Sequence, residues 1–176
     1  LEELYKYCGI DFTAYKNNTL VRRLEKRMNL LHIESISDYY DFIKKNDTEL
    51  DVLKEDFFIG VTNFFRDKDP FITLKESVLP KLFANRPAHD TIRLWSVGCS
   101  TGEEPYSLAI LLEEYIKEHG LKHKYKIFAT DIDRRAIDIA SNGQYTVNAV
   151  NDISKERLDN YFVRKGNSYQ IMKNIR

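Results

Sequence analysis

The chain has 176 residues, 43% of them hydrophobic and 31% charged, with 27 basic side chains balanced by 27 acidic ones. That is enough for one ordinary domain or a small domain plus part of another, with the composition of a soluble globular protein. No run of about 18 apolar residues is present, which excludes a helical membrane span; zero formal net charge argues against broad attraction to nucleic acid or membrane.

The start, Leu1-Glu-Glu-Leu4, shows no basic-then-apolar signal pattern and no initiator methionine, and reads as a trimmed chain. Residues 1–70 read as a helical domain. Leu20, Leu24, Met28 and Leu31 recur at helical spacing, with Val21 widening the stripe and Thr19 as the expected N-cap. A second helix is expected from Ser37, and a third over residues 49–58 with Leu50, Leu53 and Phe57 on one side. Cys8 and Cys99 read as reduced thiols. His32, His89, His119 and His123 lack zinc-type spacing; Gly120 between His119 and His123 argues against a shared helix face, so no metal is expected.

Residues 71–176 read as an α/β domain. A helix over 71–83, with Pro80 near its end, leads through a polar connector at 85–90 into a strand at 91–97. A turn, Gly98-Cys-Ser-Thr-Gly102, opens a helix in which Pro105 suits the first turn. A second strand covers 125–130, and a helix from Arg134 ends at Asn142-Gly143. The tail reads as a short helix at 156–161 and a hairpin across Gly166-Asn167. A doubly wound sheet needs more strands than these two β-α units, so the domain is expected to continue past Arg176.

The turn after the first strand carries the chemistry. It lacks the third glycine of a dinucleotide fingerprint and the lysine of a P-loop. Glu103 and Glu104 follow it; they suit a helix dipole and would repel a pyrophosphate. The pocket therefore reads as one for a cationic, phosphate-free adenosine such as S-adenosylmethionine. Glycine at both ends of the turn, Gly98 and Gly102, allows unusual φ values and lets the backbone approach such a ligand closely. Asp131, at the second strand's end, is placed to accept ribose hydroxyls, whereas Asp133 suits capping of the following helix. Glu104 is either a ligand contact or a helix-dipole residue, and Tyr106 either pocket wall or packing.

These residues resemble the chemotaxis-receptor glutamate O-methyltransferases, the CheR family. The resemblance rests on Trp95-Ser96, Ser100-Thr-Gly-Glu-Glu-Pro-Tyr-Ser107, Thr130-Asp-Ile-Asp133, Gly143-Gln-Tyr145, the upstream Gly60-Val-Thr-Asn-Phe-Phe-Arg-Asp67 and, further upstream, Gly9-Ile10, Lys16 and Arg22-Arg-Leu-Glu-Lys-Arg27. It implies an all-α N-terminal domain (residues 1–70), then a Rossmann-like S-adenosylmethionine-dependent methyltransferase domain (71–176) with an inserted β-subdomain at 145–176. It implies a cytoplasmic enzyme that methylates receptor glutamates and releases S-adenosylhomocysteine. Thr62, Arg66, Glu104 and Asp131 become cofactor contacts, and Gly60 stands where some members have asparagine. The β-subdomain docks a receptor C-terminal peptide in some members. Arg66 is expected to hold the reacting carboxylate or the cofactor's carboxylate end, while Phe64 and Phe65 read as core. Arg23, Lys26 and Arg27 form either a basic flank for an acidic receptor helix, with Arg23 and Arg27 as substrate contacts, or a solvated face. The alternative function is a non-catalytic cofactor-sensing or adaptor module. A nucleic-acid methyltransferase would need an Asn/Asp-Pro-Pro-aromatic motif, which this sequence lacks.

Overall fold

The computed structural model describes residues 1–58, 60–84 and 86–176; Ile59 lies outside the described residues, as does Asn85, which begins the expected connector. The chain divides into two units, Leu1–Ile59 and Gly60–Arg176.

The first unit is all helical: α1 (Glu2–Cys8), α2 (Asn17–Leu30), α3 (Ile36–Ile43) and α4 (Asp47–Phe57). Its core joins Leu4, Phe12, Leu20, Tyr39, Ile43, Leu50, Leu53 and Phe57. Leu24, Met28 and Leu31 flank that core, but Val21 is exposed and widens nothing. Three helices begin earlier than their sequence signals indicate. Thr19 lies inside α2's first turn, its N–H donating to the Lys16 carbonyl at 2.9 Å. Ser35 rather than Ser37 caps α3, accepting from the N–H groups of Ser37 and Asp38. Asn46 caps α4 by accepting from the Glu49 N–H. In the last two cases a cap residue two or three positions upstream satisfies amides that the helix itself leaves unpaired.

The second unit starts with a helix in three parts: α5 (Lys68–Thr73), a π-helical turn (Leu74–Val78) and α6 (Leu79–Phe83). Pro80 explains the interruption. In a regular α-helix its ring would collide with the carbonyl four residues back; here the Leu79 N–H reaches back five residues to Leu74. Strand β1 (Thr91–Val97), helix α7 (Glu103–Glu118) and strand β2 (Lys124–Thr130) follow, β1 and β2 pairing in parallel from Thr91↔Lys124 to Val97↔Thr130. Helix α7 is the pillar of the unit. Its Leu111, Leu112 and Tyr115 pack with Leu79, Phe83 and Ile92, and its Tyr106, Ala109 and Ile110 pack in a second core with Phe64, Tyr145 and Phe162.

Helix α8 (Arg134–Asn142) ends on Gly143, which is left-handed at φ 60°. Strand β3 (Gln144–Thr146), a 3-10 turn (Asn148–Val150), α9 (Lys155–Tyr161), β4 (Phe162–Lys165) and β5 (Ser168–Ile171) complete the chain. The hairpin β4–β5 is the one the tail suggests. Strand β3, three residues long, joins it as a third antiparallel strand in the order β3-β5-β4.

Candidate functional site

The site forms where β1 and β2 end, at the carboxyl edge of a parallel pair, the usual place for a ligand in an open α/β sheet. The N–H groups of Gly98 and Cys99 both donate to the Thr130 carbonyl, at 2.8 and 3.0 Å, which fastens the turn to the end of β2. Gly98 is left-handed (φ 69°), and a Cβ there would meet open space, so its backbone is free for close approach. Gly102 (φ 96°) does not share that role, contrary to expectation: it faces the protein, since a Cβ would lie 2.7 Å from that of Ala140.

Asp131 clamps the turn. One carboxylate oxygen accepts from the Ser100 N–H at 2.7 Å, and the other from the Asp133 N–H at 2.8 Å. Capping of α8 falls to Asp133, which accepts from the Arg135 N–H. Ser100 is itself left-handed, at φ 48°, and its hydroxyl is buried without a partner. Glu104 is exposed at the start of α7, and the Ser96 hydroxyl donates to it at 2.7 Å. Glu103 points inward: it is 6% exposed, Thr101 donates to it at 2.6 Å, and burial raises its pKa against that hydrogen bond. Neither Glu104 nor Asp131 is paired with a lysine or arginine among the described residues. The resulting negative field is felt by the Cys99 thiol. Burial raises its pKa most, and Asp131, Glu104 and Glu103 add to the rise. Such a turn fits a cationic, phosphate-free ligand and opposes a pyrophosphate.

The segment of residues 60–67 lies against this turn. A Cβ on Gly60 would sit 2.9 Å from the Ser100 hydroxyl. Phe64 is 1% exposed and stacks edge-on with Tyr145 and Phe162, so it belongs to the core. Thr62 is half-buried. Arg66 is exposed; one terminal nitrogen donates to the Val61 carbonyl at 2.6 Å, and its Nε lies 3.7 Å from Asp67. Phe65 and Asp67, on either side of it, are left-handed (φ 50° and 55°). Three of the four described non-glycine residues with positive φ, Phe65, Asp67 and Ser100, thus fall in these two segments, where strain is characteristic of functional sites.

In the helical unit, Arg27 donates from Nε and a terminal nitrogen to the two oxygens of Glu49, at 2.9 and 2.7 Å. Tyr39 donates to the same carboxylate at 2.8 Å. The hydrogen bond to Glu49 raises the Arg27 pKa, and burial raises that of Tyr39. Lys26 leans on Asp56 at 3.4 Å. Arg23 is the member of this basic flank with no ion pair among the described residues, and its Nε is buried without a partner.

Several residues inside the motif segments have roles that their sequence does not disclose. Ser96 holds Glu104; the hint is a hydroxyl at an inward position of an alternating strand. Tyr145 donates to the Thr101 carbonyl at 2.8 Å and Tyr106 to that of Ala140 at 2.7 Å, tying the turn and α7 to neighbouring elements. Burial raises the pKa of both phenols; Tyr106 packs in the core and also borders a hollow. A hollow of about 640 Å³ beside β2 is lined by Tyr106, Tyr125 and Ile137 among others, and none of Thr62, Arg66, Gly98, Glu104 or Asp131 borders it.

Comparison with known proteins assigns the two units. Residues 1–58 match the all-alpha domain of the CheR methyltransferases, and residues 60–176 match their SAM binding domain. A chemotaxis protein methyltransferase of Listeria monocytogenes is 32% identical over 168 residues, which is 96% of this chain and 62% of that protein. Chemotaxis protein methyltransferase 1 of Pseudomonas aeruginosa is 34% identical over 170 residues, 93% of this chain and 61% of its own length. A 104.1 kDa protein of Rhodobacter capsulatus is 35% identical over 167 residues, but the match takes in only 18% of it. The chain thus spans about three fifths of the two chemotaxis methyltransferases. The cofactor of the matched domain is S-adenosylmethionine. Both units, matched in order over nearly every residue, show that the chain belongs to the CheR methyltransferase family.

Proposed function

We propose that this chain carries the cofactor site and the substrate-recognition helices of a cytoplasmic protein-glutamate O-methyltransferase that acts on chemotaxis receptors. The observation that carries this reading is a pair of carboxylates without lysine or arginine partners among the described residues, Glu104 in the first turn of α7 and Asp131 directly after β2, both at the carboxyl edge of the parallel pair. S-adenosylmethionine supplies, when bound, a methyl group on a cationic sulfur. In this reading Asp131 accepts from the ribose, Glu104 and the open backbone at Gly98 favour the cationic ligand, and Thr62 and Arg66 contact its amino-acid end.

A receptor glutamate has an unperturbed pKa of about 4.3 and arrives ionised, so the protein needs no general base. Its task is to strip water from the carboxylate and aim one oxygen at the methyl; orientation of that kind supplies roughly 7–11 kcal/mol. Arg66, exposed beside the turn, has donors left over from its bond to Val61 for a carboxylate. Arg23 steers the acidic receptor helix. Arg27, the other substrate contact in this reading, is already bonded to Glu49, so Arg23 leads. The sheet β3-β5-β4 is the place for a receptor C-terminal peptide.

The test is methyl transfer from labelled S-adenosylmethionine to receptor cytoplasmic fragments by the full-length protein, scored as base-labile label. Arg23→Ala is expected to lower transfer and leave cofactor affinity unchanged. Cofactor binding without any ester product would favour the non-catalytic module. That reading gains from the 104.1 kDa relative, where the match is a small share of a large protein.

A further inference from the structure

Arg157 lies outside both site segments, yet it touches one of them. On α9, its Nε and a terminal nitrogen donate to the two carboxylate oxygens of Glu114, each at 2.7 Å. The same guanidinium lies 3.9 Å from the centroid of the Phe65 ring. Glu114, on α7, therefore fixes the plane of a guanidinium on an aromatic face, a geometry a lysine cannot reproduce.

Phe65 needs holding. A bulky residue at φ 50° is an outlier that persists only where its surroundings impose it. Three contacts do so: the Phe65 N–H donates to the Ser107 hydroxyl at 2.9 Å, the ring meets Phe71 at 5.2 Å, and Arg157 covers it. Ser107 is fully buried and donates to the Glu103 carbonyl, so that anchor is rigid. Phe65 is followed directly by Arg66, whose guanidinium is folded onto the Val61 carbonyl. A Phe65 backbone relaxed to negative φ would re-aim the next side chain.

We propose that Arg157, locked by Glu114 and stacked on Phe65, is a positioning residue that sets the direction of Arg66. The proposal rests on Arg66 as a cofactor contact. Beyond closing a surface ion pair, the Arg157–Glu114 bond then links α7 and α9 to the loop that presents Arg66.

The experiment is calorimetry with S-adenosylhomocysteine on the full-length protein, with thermal melting alongside. Arg157→Lys keeps the charge and loses the flat stack; Phe65→Leu removes the ring. Each is expected to weaken binding about tenfold, and by less than about twofold when placed on Arg66→Lys, because coupled residues are non-additive. If Arg157→Lys does not fold, Glu114→Gln, which frees the guanidinium plane and leaves Arg157 in place, is read in the same cycle. Equal losses in both backgrounds, or Arg157→Lys binding like the unaltered protein, would overturn the proposal. Arg66→Lys binding as tightly as the unaltered protein would instead reject Arg66 as a contact, and the positioning role would fall with it.

Discussion

Glu49 and Asp131 are both fixed by hydrogen bonds, yet their surroundings are opposite. Glu49 sits in the helical unit at 5% exposure, bridged by Arg27 and approached by Tyr39. Its charge is cancelled inside the fold. Among the described residues, Asp131 receives two backbone N–H groups and Glu104 one hydroxyl. Their geometry is set while their charge is left for something else. A buried carboxylate matched by an arginine serves scaffold; carboxylates oriented by neutral donors are, in the function proposed above, the ones that meet the ligand.

Substitutions in the two regions should therefore differ in kind. The largest stability effect is expected from Arg27→Ala, which strands Glu49 and should cost about 3 kcal/mol in denaturant unfolding. Arg27→Met with Glu49→Leu should recover most of it; a double variant as unstable as the single one would break the scaffold reading. Asp131→Ala should weaken S-adenosylmethionine binding by roughly 100-fold, a figure suited to losing hydrogen bonds to a charged acceptor. An unchanged affinity there would erase the contrast. The two turn glycines sharpen it on a smaller scale. Gly102→Ala combines left-handed strain with a 2.7 Å approach to Ala140 and should cost about 2 kcal/mol or more. Gly98→Ala meets open space and should cost about 1 kcal/mol from strain alone. Equal losses in thermal melts would contradict the placement of Gly98 on the open side.

The smallest effect concerns Glu103. Burial raises its folded pKa, so the stability linked to its protonation is complete below the unfolded value of about 4.3 and is lost as pH rises through the folded value. Glu103→Gln should therefore melt slightly higher than the unaltered protein at pH 7, with the difference vanishing near pH 4. A difference independent of pH would show that Glu103 is not strained by its burial.

Much of this was legible from residue patterns. The apolar spacing of Leu50, Leu53 and Phe57 locates α4's buried side, and Asn142-Gly143 marks the end of α8. Caps were harder: Ser35 and Ser37 are chemically alike, and only the folded backbone shows that Ser35 accepts the amides. Pro80 signals a disturbance but not its form, because a π turn and a kink both relieve the same collision. Strand β3 has no pattern of its own and exists through pairing with β5. At the site, the glycines, Glu104 and Asp131 stand out by type and position. The roles of Ser96 and Ser107, though both lie in motif segments, and of Arg157, which does not, are hidden, since each matters through a partner 8 to 92 residues away, Glu104, Phe65 and Phe65 again.

The most direct test of the central claim is a calorimetric comparison of S-adenosylmethionine, S-adenosylhomocysteine and ATP on the full-length protein and its Asp131→Asn variant. Glu104 and Asp131 predict that both adenosyl amino acids bind, that ATP does not, and that Asp131→Asn weakens the former two. ATP bound as tightly as S-adenosylmethionine, or a variant that binds the cofactor undiminished, would contradict it.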